Sequence, residues 1–211
     1  MTRSTHDEPI GAWLEALGSA APAPGGGAAA AMNTAMGAAL VCMVAHLTLG
    51  RKAYASHGEH ATRVRDEADE LRARAVSLVA EDAAAFDALM ATYRLPKVTD
   101  AERVARTTAL QAATVRATEV SIDIAAAAAR VVALAESLLG RSNPNVVSDI
   151  AVAAASAVAG LESAGVNADI NLRSLRDTAV KARLTAEIER QREQVGVGRG
   201  VVDAVRKEIT A

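Results

Sequence analysis

The sequence predicts an all-α fold: a single-domain bundle of long antiparallel helices. Hydrophobic residues make up 51% of the 211 while aromatics make up only 2%, so a core must be built mostly from Ala, Val and Leu. Ala and Leu are strong helix formers, and small side chains let helices pack closely. Apolar residues recur every three or four positions along the long segments, as one face of a helix requires. Gly and Pro punctuate the chain at Ala21–Gly27, Gly50–Gly58, Leu95–Lys97 and Leu139–Pro144.

Charge and cysteine content narrow the function. A net charge of −2 with 23% charged residues of both signs offers no field to collect nucleic acid or an anionic membrane. The single Cys42 excludes an internal disulfide and fits a reducing, cytoplasmic setting. Met1 to Leu17 carries Asp7, Glu8 and Glu15 and lacks the basic start of a signal peptide. Ala28 to Leu49 is long enough to cross a bilayer. It also carries Asn33, Thr34 and His46 and lacks dense Leu, Ile and Phe, so a buried central helix is the preferred reading over a span.

In chain order, Asp7 is expected to cap a short first helix with Pro9 in its first turn, Trp13 as its anchor and Gly18 at its end. A second helix begins near Gly27, with Met32, Met36, Leu40, Met43 and Leu47 as one apolar row and Asn33, Gly37, Leu40, Val44 and Leu47 as another, so burial on most sides is expected. Gly50 closes it. A third helix runs to about Arg94 on a stripe of Val64, Ala68, Leu71, Ala75, Leu78, position 82, Ala85/Phe86 and Leu89. Thr99-Asp100-Ala101-Glu102 is a capping box that opens a fourth helix ending near Leu139-Gly140. At about 60 Å each, these two helices are long for one compact domain, so a bend or an oligomer partner is expected. Another apolar helix follows Asn143-Pro144, with a break expected at Ala164-Gly165, and a charged helix starts at Asp177. Gly196, Gly198 and Gly200 read as a hinge between a domain over 1–195 and a tail over 196–211 with a short helix.

Several positions carry chemistry. Pro22 and Pro24 hold extended chain, and Gly25, Gly26 and Gly27 present backbone N–H groups at the positive end of the second helix. The alternative is a turn that merely packs closely; neither a dinucleotide fingerprint nor a P-loop is present. Asp82 interrupts an apolar stripe. A buried carboxylate either meets a cationic partner in a structural ion pair or has its pKa raised and holds a proton. Lys52 and Lys97 flank its helix at opposite ends and cannot both reach it within one subunit. A site at a subunit interface could combine them. Asn145 and Asp149 share a face four residues apart, as do Asn167 and Asn171, although Asn near Gly165 also favours turns. His46 reads as a core or interface residue before a catalytic one. The four His form no ligand motif, so no metal is expected, and there is no nucleophile elbow.

Together these stretches resemble a known family. Pro24-Gly25-Gly26-Gly27, Met43 to Tyr54, Glu81-Asp82-Ala83-Ala84-Ala85-Phe86, Leu95-Pro96-Lys97, Asn145 to Ala153 and Asn167 to Leu172 are similar, in order, to the cyclodeaminase/cyclohydrolase family. It includes the C-terminal domain of formiminotransferase-cyclodeaminase and stand-alone methenyltetrahydrofolate cyclohydrolases. The resemblance spans about residues 10 to 190. This chain departs from the family's usual Ser at Ala28, its Asn at His46, its Lys-rich run at Arg51-Lys52-Ala53 and its Pro near Ser121.

The resemblance implies a helical homodimer that acts on one-carbon derivatives of tetrahydrofolate without a metal or separate cofactor. The leading expectation is formiminotetrahydrofolate cyclodeaminase, releasing ammonia to give 5,10-methenyltetrahydrofolate. Methenyltetrahydrofolate cyclohydrolase and a non-catalytic folate-binding or scaffold dimer are the alternatives. On this reading Asp82 and Asp149 transfer protons or stabilise the cationic carbon, and Lys52 donates a proton or anchors the substrate. Gly25, Gly26, Gly27 and Asn145 hold pterin or one-carbon edges, Lys97 meets the glutamate carboxylate, and Tyr54 and Asn171 complete the substrate contacts. A separately encoded formiminotransferase is the possible protein partner.

Overall fold

The computed structural model describes residues 9–211. It contains α1 (Ile10–Leu17), α2 (Gly26–Thr48), α3 (Gly58–Thr92), α4 (Asp100–Ser137), α5 (Val147–Ser174) and α6 (Thr178–Thr210). Short 3₁₀ turns at Lys52–His57 and Pro144–Val146 precede α3 and α5, and there is no strand among the described residues.

Local chemistry explains the boundaries. Pro9 precedes α1 and Gly18 ends it; Asp7, the expected cap, lies outside the described residues. Gly50 and Gly140 adopt φ of +74° and +65°, a left-handed conformation that glycine tolerates, just beyond the ends of α2 and α4. The capping box is formed: Thr99 Oγ accepts the Glu102 N–H at 3.2 Å and the Glu102 carboxylate accepts the Thr99 N–H at 2.8 Å. Asn143 accepts the Asn145 N–H at 3.1 Å ahead of α5, and Asp177 caps α6 at the Ala179 and Val180 N–H groups.

Cross-helix contacts set the register. Gly26 lies by Asn167, Gly37 by Ala153 and Ala157, and Leu47 by Asn143, so α2 and α5 run antiparallel. Arg116 meets Glu81 at 3.1 Å, Arg74 meets Asp123 at 3.0 Å and Arg130 pairs with Glu67, so α3 and α4 run antiparallel. Such exposed pairs stabilise by only about 0–1 kcal/mol each, but they mark the alignment. The bundle is therefore α2–α3–α4–α5 in up-down order, with α6 packed along α4 and α5. Its core has two ends, one around Ala28, Leu78, Leu161 and Leu184, the other around Val41, Val64, Leu138 and Ile150.

At the α2–α5 crossing the backbones touch. A Cβ on Gly37 would sit 2.9 Å from the Ala153 carbonyl oxygen, and one on Gly160 would sit 2.9 Å from that of Ala30. Small residues here serve packing, and so do Gly165, beside Arg192, and Gly198, beside Val158, in two segments that read as breaks in the sequence. α5 runs unbroken through Gly165, and α6 runs unbroken through Gly196, Gly198 and Gly200. The expected hinge is therefore corrected to one continuous helix, because Gly198 is buried where a Cβ would strike Val158 and α6 keeps its grip on the core through Val201 and Val205.

α2 is buried on most sides, but not along the methionine row the sequence suggests. Its core face is Ala28, Ala31, Ala35, Ala38, Val41 and Val44, whereas Met36, Met43 and Leu47 are 52%, 37% and 37% exposed. Two segments, Gly26–Thr48 and Pro144–Ser174, are long and apolar enough to cross a membrane by length and composition; 56% and 44% of their apolar windows are buried in the bundle.

Replacing Gly37 or Gly160 by Ala should force α2 and α5 apart and destabilise by about 1–3 kcal/mol. Gly196→Ala meets open space inside α6 and should stabilise by about 0.5–1 kcal/mol. Urea unfolding of the three variants checks both signs.

Candidate active site

α2 begins where Gly25, in an extended conformation, hands over to Gly26 and Gly27. The first intrahelical acceptor is the Gly25 carbonyl, taken by the Ala29 N–H at 3.0 Å, so the amides of Gly26, Gly27 and Ala28 precede the ladder, and that of Ala28 is spent on Asp82. Asp82 projects from the inward stripe of α3 onto this end. A Cβ on Gly27 would fall onto the Asp82 carboxylate, so only glycine leaves room for it. Among the described residues Asp82 has no salt-bridge partner, which excludes the structural ion-pair reading there. Burial pushes its pKa above the ordinary carboxylate value, and a hydrogen bond from the Ala28 backbone pulls weakly the other way.

Around this carboxylate lies a cavity of about 320 Å³. Gly25, Gly26 and Gly27 form one side and Phe86 and Leu89, one and two turns beyond Asp82, form an apolar wall. Asn167, Ile170 and Asn171 enter from α5, and Ala117 and Ser121 from α4. The Asn167 amide sits against Gly26, about 3.6 Å from where a Cβ would be. The arrangement offers one proton-holding group, a set of amide donors and two side-chain amides that can read donor and acceptor edges of a flat polar ring.

The sequence-predicted residues divide into two sets. Asp82, Gly25, Gly26, Gly27 and Asn171 come together, and Asn167 joins them. Asp149 stands in the first turn of α5, eighteen residues or about 27 Å from Asn167 along the helix axis, and Asn145 precedes it in the 3₁₀ turn. Lys52 and Tyr54 occupy the 3₁₀ turn after α2, at that same far end, and His46 lies exposed in the last turn of α2. Lys97 follows α3 at the Asp82 end but is exposed and does not line the cavity. Within one chain, then, Asp82 and Asp149 do not meet.

Phe86 and Ser121 were not singled out as site residues. Phe86 follows Asp82 at the four-residue spacing that marks a shared face, a signal the sequence does contain. Ser121 turns its hydroxyl back to the Ala117 carbonyl at 3.1 Å, and nothing in its neighbourhood distinguishes it from a small residue in a crowded helix. Among the described residues no three His, Cys, Asp or Glu side chains converge as metal ligands would.

The family model described as formiminotransferase-cyclodeaminase matches residues 9–190. A methenyltetrahydrofolate cyclohydrolase from Methylorubrum extorquens is 42% identical over 183 residues, covering 87% of this chain and 88% of the relative. Formimidoyltransferase-cyclodeaminase of Rattus norvegicus is 32% identical over 98% of this chain, which spans only 39% of that longer protein. The crystal structure of a formiminotetrahydrofolate cyclodeaminase from Thermotoga maritima superposes with a TM-score of 0.87 at 26% identity, covering 98% of this chain and 99% of that one.

The state of Asp82 can be read through stability. A carboxyl whose pKa is raised on folding contributes fully below its unfolded value, near 3.8, and loses that contribution as pH rises through the folded value. Asp82→Asn should therefore stabilise the protein at about pH 7 and have little effect at about pH 3.5. Urea midpoints at the two pH values decide; an equal shift at both would mean that Asp82 is not held protonated by burial.

Proposed function

Since this chain belongs to the formiminotransferase-cyclodeaminase family, we propose that it is a folate-pathway enzyme whose Asp82 cavity takes the one-carbon unit between N5 and N10 of tetrahydrofolate. The observation that carries this reading is the half-buried Asp82 carboxyl, with its raised pKa, set against the amide end of α2 and lining one cavity with Asn167 and Asn171. Water attack on the methenyl carbon forms a C–O bond while Asp82 takes the water proton. The resulting tetrahedral carbon then expels N5, which receives that proton from Asp82, and the hydroxyl proton passes to solvent as the formyl group forms. The methenyl unit is cationic, so substrate favours the ionised form of Asp82 and readies it as the base. All these transfers use the chain's own groups, and the proposal needs no cofactor.

Hydrolysis is favoured by the Methylorubrum extorquens relative, which aligns over most of both chains. Cyclodeamination is the second reading, favoured by the fold match with the Thermotoga maritima enzyme over nearly the whole of both chains. There N10 attacks the carbon of the protonated formimino group, the proton lost from N10 passes through Asp82 to the departing nitrogen, and ammonia leaves with the positive charge remaining on the methenyl unit. In that case a separately encoded formiminotransferase would supply the substrate. A cytoplasmic location suits either reaction. A non-catalytic folate binder has less in its favour, because the cavity already holds a proton-transfer group.

We further propose that the enzyme works as a homodimer. Met36, Met43 and Leu47 of α2 and Val152 and Ile170 of α5 are exposed on the two most apolar helices, and α2 carries no Asp, Glu, Lys or Arg. A two-fold-related copy seated on this face with its α2 antiparallel brings the far end of the partner to the Asp82 end. That apposition would unite Asp82 with Lys52, Tyr54, Asn145 and Asp149 across the interface.

The test is absorbance of methenyltetrahydrofolate with purified protein, with and without ammonia. Hydrolysis predicts accelerated loss of the methenyl chromophore without ammonia; deamination run in reverse predicts loss only with ammonia; no acceleration in either case contradicts an enzyme of this pathway. kcat/KM should rise with pH along a limb set above the ordinary carboxylate pKa, and Asp82→Asn should lower kcat by about 100-fold or more. If each site draws on both chains, Asp82→Asn and Asp149→Asn should each be inactive alone and their mixture should restore about a quarter of wild-type activity; if the sites are self-contained, Asp149→Asn alone should stay active, because Asp149 stands far from Asp82 in its own chain.

A further inference from the structure

A second cavity, of about 310 Å³, adjoins the first and shares Leu89, Ile170 and Asn171 with it. It leads away from Asp82 between the end of α3 and the α5–α6 connection, past Tyr93 to Arg176. Its character changes along the way: the shared wall is apolar on Leu89 and Ile170, and the far end is polar. Gln111 of α4 fixes that end by gripping the connection twice. Its side-chain N–H donates to the Ser174 carbonyl at 3.1 Å, and its side-chain carbonyl accepts the Arg176 backbone N–H at 2.7 Å. Both bonds use backbone atoms of the connection, so the Arg176 guanidinium is left out of them. Among the described residues it makes no salt bridge. Arg106 lies behind Tyr93, 5.9 Å from the centre of its ring and bonded to the Thr92 and Tyr93 carbonyls.

We propose that this second cavity is the subsite for the tail of the substrate, taking its aryl amide beside Leu89, Tyr93 and Ile170 and its terminal carboxylate on Arg176. The proposal rests on the folate reading of the first cavity and replaces Lys97, the sequence-based candidate for the carboxylate, which lines neither cavity. A tetrahydrofolate is a bicyclic head joined through an aryl amide to glutamate. Two adjoining chambers, one with a proton-transfer group and polar amides and one with an apolar neck and an unpaired guanidinium, match that sequence of parts. A planar guanidinium binds carboxylate through two parallel N–H bonds, which makes Arg176 specific for the glutamate end.

The test compares methenyl derivatives of tetrahydropteroate, which lacks glutamate, and of tetrahydrofolate, using wild type, Arg176→Ala and Arg176→Lys. The expected result is a rise of about tenfold in KM for the glutamylated substrate with Arg176→Ala, partial recovery with Arg176→Lys, and kcat unchanged. The glutamate-free substrate should show the same KM with all three proteins. Equal loss on both substrates, or no loss on the glutamylated one, would overturn the assignment. Should wild type turn over neither substrate, the reaction reading fails by itself. Calorimetric binding of tetrahydrofolate and tetrahydropteroate then decides the subsite: Arg176→Ala must weaken only the former.

Discussion

The arrangement depends on one contact, the Asp82 carboxylate resting where Gly27 has no side chain. A carboxylate removed from water without a cation is costly, and the available relief is a proton or the amides of a helix N-terminus. The bundle supplies the second in part, through Ala28, and leaves the first to pH and substrate. To bring α3 against the very start of α2, the chain must leave the turn at Pro22–Gly25 and enter the helix within a residue or two. The α2–α5 crossing at Gly37 and Gly160 then holds that helix at backbone distance from α5, so Asn167 and Asn171 arrive at the same place.

Much of this could be read from residues alone, because it depends on local rules. The capping box at Thr99 and the Asn143-Pro144 start appear as expected, and the helix expected from Asp177 uses that residue as its cap, since each satisfies amides within one turn. Asp82 was recognisable because a carboxylate in an apolar stripe must either meet a cation or hold a proton, and only the structure shows that no cation is there among the described residues. Glycines were the recurrent difficulty. The same residue ends α2 at Gly50, spaces helices at Gly37 and Gly160, and passes unnoticed through α6 at Gly196. Which role applies is decided by what lies opposite, and sequence spacing does not contain that.

The site residues failed to converge for a related reason. Asn145 with Asp149 and Asn167 with Asn171 show the same spacing, but Asn145 stands in the 3₁₀ turn before α5, and about 27 Å separates Asp149 from Asn167 along that helix. Only the antiparallel pairing of α5 with α2 assigns one pair to the glycine turn and the other to the far end. The exposed Met36, Met43 and Leu47 read as core for a similar reason: an interface between copies and a core use the same side chains. A homodimer through this face would account for both the exposed row and the division of the site residues.

The central claim is that Asp82 is the proton-transfer group and that its ionisation answers to the substrate. The direct measurement is a titration of the Asp82 carboxyl carbon by NMR, in free protein and with a methenyl-folate analogue bound. The account predicts a pKa above the ordinary carboxylate value when free, falling when the cationic analogue binds. An ordinary value in the free protein, unchanged by the ligand, would contradict it.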